Sequence, residues 1–204
     1  MAPTVNGLRE LIYWQYANIS DSAELGEKRS ASVLARYEKL KDEEFFRDSI
    51  RGFVREREVP GGCYFCGATE HVSLEHLFPK IYGGPDEEGN MIWVCRSCNS
   101  SRGGRRPYEY WTHSGVAKRD VSRMVEAKYL KFLFETLSDS RHLDWGIDDI
   151  QSHACPGCNL SLLCSKNGTF HKLSPLCLDG VATLSLDVRA SLPDIIETRS
   201  RLPT

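Results

Sequence analysis

No stretch of apolar residues in this 204-residue chain approaches the length of a membrane-spanning helix. The N-terminus also lacks the basic region and following apolar segment of a secretory signal. Hydrophobic residues make up 41% of the chain and charged residues 26%, which is usual for a globular protein. The sequence therefore predicts a cytoplasmic protein with no membrane partner, whose eight cysteines are reduced and available to metals.

An overall excess of basic residues is also missing, since the net charge is −2. This excludes a surface that is basic on all sides, but one segment departs from the average. Between Cys95 and Lys128, eight arginine and lysine residues outnumber three acidic residues. A local basic patch is what phosphate binding requires, with a solvated helix face as the alternative for the residues beyond Arg106.

Four of the cysteines form two Cys-x-x-Cys pairs, Cys63 with Cys66 and Cys95 with Cys98. Each such turn brings two thiolates to one ion, and two turns complete a tetrahedron. Twenty-eight residues separate the two pairs, so this insert must form its own hairpin to bring the second pair back to the first. Four thiolates leave no open coordination position, so the sequence predicts a structural zinc site, with ordinary buried thiols as the alternative.

The insert and the residues just after it carry polar side chains suited to catalysis, together with turn-forming residues. They are Glu75 and His76, then Pro79, Gly83, Gly84 and Asn90, and finally Asn99.

The order and spacing of these residues around the cysteine pairs resemble the HNH endonuclease family over about residues 60–106. The resemblance implies a β-hairpin followed by a helix, built around one divalent metal ion. It also implies that His76 is the general base, that Glu75 and Asn99 bind the catalytic metal, and that Asn90 holds His76 and the active-site loop. Many members of the family carry histidine at the position of Asn99.

Elementary chemistry favours the same roles. Phosphodiester hydrolysis needs an activated water and a cation that stabilises charge on the phosphate and the leaving oxygen. A neutral imidazole is a suitable base near pH 7, and carboxylate and amide oxygens suit Mg²⁺ or Mn²⁺. Glu75 and His76 are adjacent, so both can serve one site only if the strand ends or bulges there.

The basic segment begins with Arg102, Arg105 and Arg106, directly after the motif. These three are the candidate nucleic-acid-binding residues, and Arg102 is expected to hold a phosphate next to the scissile one. The family resemblance implies products with a 5′ phosphate and a 3′ hydroxyl.

A second cysteine cluster lies near the C-terminus and comprises Cys155, Cys158, Cys164 and Cys177. It predicts a second structural zinc site, because short segments poor in apolar residues are commonly held by a metal. His153 and His171 are substitute ligands if one cysteine does not reach the ion. An iron–sulfur cluster or unliganded thiols are the alternatives.

The sequence as a whole predicts an α+β protein in which helices flank a small zinc-stapled hairpin–helix core. Apolar spacing predicts helices over 7–19, 22–41, 43–57 and 120–137, and alternation from Val181 to Val188 predicts one strand. The expected segments are an N-terminal helical segment (1–59), the HNH core (60–112), a second helical segment (113–150) and a cysteine-rich tail (151–204).

The predicted function is metal-dependent nicking or cleavage of DNA, in a defence, restriction or mobile-element context. No small-molecule substrate is expected, and a protein partner or a homodimer remains open. One alternative is a nuclease subunit of a larger complex. Another is a zinc module that binds nucleic acid without catalysis, although such a module should have lost Glu75, His76 or Asn99, and all three are present.

Overall fold

Helices make up most of the described part of the chain, and one antiparallel hairpin supplies its two strands. The computed structural model describes residues 3–25, 30–57, 61–113, 122–166, 168 and 172–191. The hairpin consists of β1 (Val72–His76) and β2 (Met91–Cys95), with Val72 opposite Cys95 and His76 opposite Met91. The helices are α1 (Leu8–Leu25), α2 (Ser30–Leu40), α3 (Glu43–Arg57), α4 (Arg96–Arg102), α5 (Pro107–His113), α6 (Arg123–Asp139), α7 (Ile147–Asp149), α8 (Ser161–Lys166) and α9 (Pro175–Ser191). The predicted α+β class is confirmed.

The first three helices form close to where apolar spacing predicts them, but α1 continues to Leu25, past its predicted end at residue 19, and α2 begins at Ser30 instead of residue 22. On α1, Leu8, Ile12 and Tyr16 are at most 2% exposed, which places them on one buried face. On α3, Phe46 and Ile50 repeat the spacing of four residues and are equally buried. The helices are therefore held by these apolar faces rather than by intrinsic propensity alone. None of the described helices is long and apolar enough to cross a membrane.

Helix α6 lies between the N-terminal helices and the hairpin. Tyr13 of α1 packs on Phe46 of α3 with ring centroids 4.8 Å apart, and Phe46 packs on Phe134 of α6 at 4.9 Å. Tyr129, closer to the N-terminus of α6, stacks on Phe78, which follows β1, with ring centroids 6.4 Å apart. One aromatic core thus connects the helical segment to the segment that carries the predicted site.

The strand predicted from Val181 to Val188 is wrong, because these residues belong to α9. The buried residues at the start of the predicted strand follow helical spacing, with Leu178, Val181 and Ala182 fully buried. Ser185, also buried, donates its hydroxyl to the Val181 carbonyl at 2.8 Å, so a polar residue is accommodated on the inner face. Helix α9 packs against α5 and α6 through this face.

One hydrophobic cluster runs through described residues of all four predicted segments. Its members include Leu11 from the first segment, Ile92 from the second, Leu133 from the third and Leu178 from the fourth. The division into segments with the predicted boundaries stays a prediction, and the shared core shows that they pack together.

Candidate functional site

The two Cys-x-x-Cys pairs converge on one point. The sulfur atoms of Cys63, Cys66, Cys95 and Cys98 all lie within 4.8 Å of one another. The Cys66 and Cys95 sulfurs are 3.7 Å apart, and a tetrahedral zinc ion with bonds of about 2.3 Å would separate its sulfur ligands by about 3.8 Å. The cluster therefore fits a structural zinc ion.

The local backbone prepares this cluster for a metal. The Gly67 amide donates to the Cys63 carbonyl at 2.7 Å, and Gly67 adopts a φ of 77°, which favours glycine. Burial raises the pKa of the Cys63 thiol, but backbone N–H groups, among them those of Cys95 and Cys66, outweigh burial and lower it to about 6. Since zinc binds thiolates, these N–H donors favour the ligand form.

His76 is the last residue of β1, and its ring meets an acid that sequence reasoning did not identify. A hydrogen bond of 2.7 Å joins His76 Nε2 to Asp86 Oδ1. The other carboxylate oxygen of Asp86 lies 2.7 Å from Lys80 Nζ. Hydrogen bonds from Lys80 and then His76 lower the pKa of Asp86. An ionised carboxylate only accepts, so Nε2 carries a proton and Nδ1 is left as the basic nitrogen of the neutral ring.

The two expected metal ligands lie on adjoining elements, Glu75 on β1 and Asn99 on α4. Glu75 accepts a hydrogen bond from Ser73 Oγ at 2.8 Å, as expected for two residues on the same face of a strand. Asn99 Oδ1 accepts from Arg102 Nη2 at 3.4 Å. Burial lowers the pKa of Arg102, and the charge of Glu75 acts in the opposite direction.

Arg102 connects Asn99 to the end of β1. Its Nη1 donates to the His76 carbonyl at 2.6 Å and to the Leu77 carbonyl at 3.1 Å. The expected role of Arg102 as a phosphate contact is wrong for this structure, because the side chain is only 4% exposed. Its physical role is to satisfy two carbonyl groups that the end of β1 leaves unpaired.

Arg106 likewise does not face solvent, and its assignment as a nucleic-acid contact is corrected too. It is 1% exposed. Its guanidinium donates to Glu109 at 3.0 Å, to Thr183 Oγ1 at 3.0 Å and to Asn159 Oδ1 at 2.5 Å. These partners lie on α5, on α9 and between α7 and α8, so Arg106 ties the hairpin segment to the tail.

The exposed cations of the segment are different ones. Arg105 is partly exposed and donates to the Arg102 carbonyl at 3.3 Å. Arg96 and Lys80 are exposed. Two further basic residues of the predicted patch, Lys118 and Arg119, lie outside the described residues.

Asn90 is fully buried and binds the loop that follows β1. Its Oδ1 accepts from the Phe78 amide at 2.7 Å, and its Nδ2 donates to the Phe78 and Pro85 carbonyls, each at 3.0 Å. Its backbone carbonyl accepts from the Leu77 amide at 2.7 Å. These are the contacts that a loop-holding residue requires.

Glycine is required in the same loop at Gly84. A Cβ added to Gly84 would lie 2.0 Å from the Phe78 carbonyl oxygen, closer than any side chain permits. The close approach lets the loop turn back, and it places Asp86 beside His76.

The tail cysteines Cys155, Cys158, Cys164 and Cys177 line one cavity of about 330 Å³. Among the described residues, only the first cluster places three or more potential ligands within 4.8 Å of one another, so the tail sulfurs are more widely spaced. The substitute ligand His153 lies beside Trp145, with ring centroids 5.5 Å apart, and His171 lies outside the described residues.

Comparison with known proteins assigns the hairpin segment. Residues 63–110 match the family model for HNH endonuclease. No curated protein and no solved structure matches the chain. The matched residues include both strands, α4 and the four-cysteine cluster that fits zinc. Within residues 63–110, the chain is therefore similar to the HNH endonuclease family.

Proposed function

We propose that this protein is a metal-dependent endonuclease that hydrolyses phosphodiester bonds in DNA, with His76 as its general base. The HNH domain suggests nuclease activity on nucleic acid. The observation that carries the proposal is the pairing of His76 with Asp86, because this contact holds the imidazole at the end of β1 in one tautomer.

His76 takes a proton from the attacking water on Nδ1. Asp86 is a positioning residue, since it acts through the ring and not on the substrate. Its carboxylate fixes the orientation of the imidazole and favours the positive charge that the ring gains when it accepts the proton. With a side chain 20% exposed, His76 remains accessible to a water molecule.

Glu75 and Asn99 are the proposed ligands of the catalytic Mg²⁺ or Mn²⁺. Their carboxylate and amide oxygens are hard donors of the kind that these ions prefer. When bound, the ion supplies positive charge that stabilises the scissile phosphate and the leaving 3′ oxygen. Arg102 links one of these ligands to the end of β1, because it contacts the Asn99 side chain and the His76 carbonyl.

The exposed Lys80 and Arg96 and the partly exposed Arg105 are the proposed contacts to the DNA backbone. They replace Arg102 and Arg106, whose burial leaves little surface for a phosphate. One domain with one site cuts one strand per event, so cleavage of both strands requires a second copy, a protein partner or a second visit. The products are a 5′ phosphate and a 3′ hydroxyl.

The experiment is a cleavage assay on supercoiled plasmid and on RNA of matched sequence, with Mg²⁺, with Mn²⁺ and with EDTA. We expect nicked plasmid with either ion and none with EDTA. The His76→Ala variant should lose about 10²–10⁴ in rate while retaining DNA binding. Binding without cleavage under every condition would overturn the proposal in favour of a non-catalytic module. Cleavage only after a partner is added would make the chain a subunit.

A double-mutant cycle tests the role of Asp86. Asp86→Ala should lower the rate about 10–100-fold in the parent protein and change nothing further in the His76→Ala background, because Asp86 acts through the ring. Asp86→Asn retains an acceptor and should recover part of the rate. Glu87→Ala is the matched control, since it removes the same charge one residue away. Additive losses from His76→Ala and Asp86→Ala would show that Asp86 does not act through His76.

A further inference from the structure

We infer that the tail holds a second structural zinc ion, bound by Cys155, Cys158, Cys164 and Cys177, and that this ion anchors the start of α9 beneath the active-site loop. The four residues come from three successive elements and line one cavity. Cys155 and Cys158 bracket a tight turn, Cys164 lies in α8, and Cys177 lies in the first turn of α9.

The turn between the first two ligands is closed by a hydrogen bond from the Cys158 amide to the Cys155 carbonyl at 3.1 Å. Such a turn carries both thiols on one short segment. The Cys158 sulfur reaches α9 beside Cys177, because a Cβ added to Gly180 would lie only 3.1 Å from it. Gly180 follows Cys177 by three residues, so both thiols lie along the same face of α9.

Binding requires the sulfurs to move closer together than they stand in the structure. A cysteine that changes from one χ1 rotamer to another moves its sulfur by about 3 Å, which brings sulfurs on one cavity wall closer without moving the backbone. Lys172 also lines the cavity and places a positive charge near the thiolates. Four soft sulfur donors in a segment without other redox features favour zinc.

The ion would support the active-site loop through α9. A Cβ added to Gly83 would lie 3.0 Å from the Leu186 side chain, so α9 directly abuts the turn that precedes Asp86. Arg106 donates to Thr183 on the same helix, and its guanidinium lies 4.4 Å from the centre of the Tyr82 ring. Helix α9 therefore supports the loop at two points, through Leu186 at Gly83 and through Thr183, which binds Arg106 beneath Tyr82. The tail ion would fix the start of that helix.

The test is elemental analysis of full-length protein purified without oxygen. We expect two zinc ions per chain, and one in the Cys155→Ser/Cys158→Ser variant. Ser161→Ala is the control, because Ser161 lines the same cavity and should leave two ions. In the parent protein, the tail cysteines should resist alkylation until zinc is chelated. In the double variant, the remaining tail cysteines, Cys164 and Cys177, should be alkylated quickly without chelation.

The zinc count does not depend on nuclease activity, so it separates this inference from the proposed function. One zinc ion per parent chain, with freely alkylated tail cysteines, would overturn the inference. A coloured protein with several iron atoms per chain, or a mass two units lower that reports a tail disulfide, would overturn it as well. Should the double variant fail to fold, the ion count and the alkylation pattern of the parent protein still decide.

Discussion

Replacing Asn90 with alanine should unfold the active-site loop before it affects any chemistry. The amide side chain is 0% exposed and makes three hydrogen bonds, all to backbone groups of the loop that carries Asp86. Alanine removes every one of them and leaves the Phe78 amide and two carbonyls without this partner. The backbone bond from Leu77 to the Asn90 carbonyl would remain.

The size of the effect follows from these contacts. A net hydrogen bond contributes about 1 kcal/mol, and a buried polar group left unpaired costs about 1–3 kcal/mol. Three lost bonds at a fully buried position therefore predict a loss of about 3–5 kcal/mol, allowing for some relaxation of the loop. That is a large part of the stability of an ordinary domain. With a urea slope of about 3 kcal/mol/M, the unfolding midpoint should fall by about 1 M or more.

The assay is equilibrium urea unfolding with zinc present, run beside plasmid cleavage. Asn99→Ala is the comparison, because Asn99 is partly exposed and its amide oxygen accepts one long contact, 3.4 Å from Arg102. It should abolish cleavage while costing less than about 1 kcal/mol. If Asn90→Ala unfolds at the parental urea concentration but fails to cut, Asn90 acts on the substrate or the metal and the structural reasoning is refuted.

Two further predictions concern stability. Burial raises the pKa of Asp179 to about 7. Its contribution to the free energy of unfolding is therefore fully present below about pH 4 and is lost as pH rises through about 7. The loss is at most about 4 kcal/mol. Asp179→Asn mimics the protonated form, so urea unfolding between pH 5 and 8 should show a smaller decline than in the parent protein; equal declines would contradict the prediction. Gly84→Ala should cost stability and cleavage together, because its Cβ would meet the Phe78 carbonyl at 2.0 Å, whereas Gly89→Ala meets nothing within 4 Å and should behave like the parent protein in both assays. Parental behaviour of Gly84→Ala would mean that the loop can open there.

The helices were predictable wherever one apolar face is continuous along the sequence. In α1 and α6 the apolar residues of the sequence recur at intervals of three or four, and that signal is local. The hairpin was predictable because its ends are marked by cysteine pairs, Pro79 and glycines, which restrict the backbone whatever the rest of the chain does.

Helix α9 was not predictable in the same way. Val181, Leu184, Leu186 and Val188 are compatible with both an alternating and a helical pattern, and polar Ser185 interrupts the helical one. The helix is favoured because α5 and α6 supply a surface on which Val181 and Ala182 are fully buried. That surface comes from residues far away in the sequence.

The charges of the arginines after the motif could be read from the sequence, but the burial of their side chains could not. Arg102 and Arg106 both look like phosphate ligands in a basic segment, yet each satisfies groups that are distant along the chain. Arg102 reaches Leu77, 25 residues away, and Arg106 reaches Thr183, 77 residues away. Asp86 was missed for the same reason, because only the folded loop brings its carboxylate to His76.

The burial of Arg106 bears on whether the segment that matches the HNH endonuclease model can fold alone. Two of its hydrogen-bond partners, Asn159 and Thr183, lie beyond the matched segment that ends at residue 110. A fragment cut at the predicted boundary of 112 would keep the Glu109 contact but lose those two. It would also lose α6, and with it the Tyr129 ring that stacks on Phe78. Because Phe78 is held by Asn90 at the base of the loop, the position of Asp86 beside His76 depends on helices outside the matched segment.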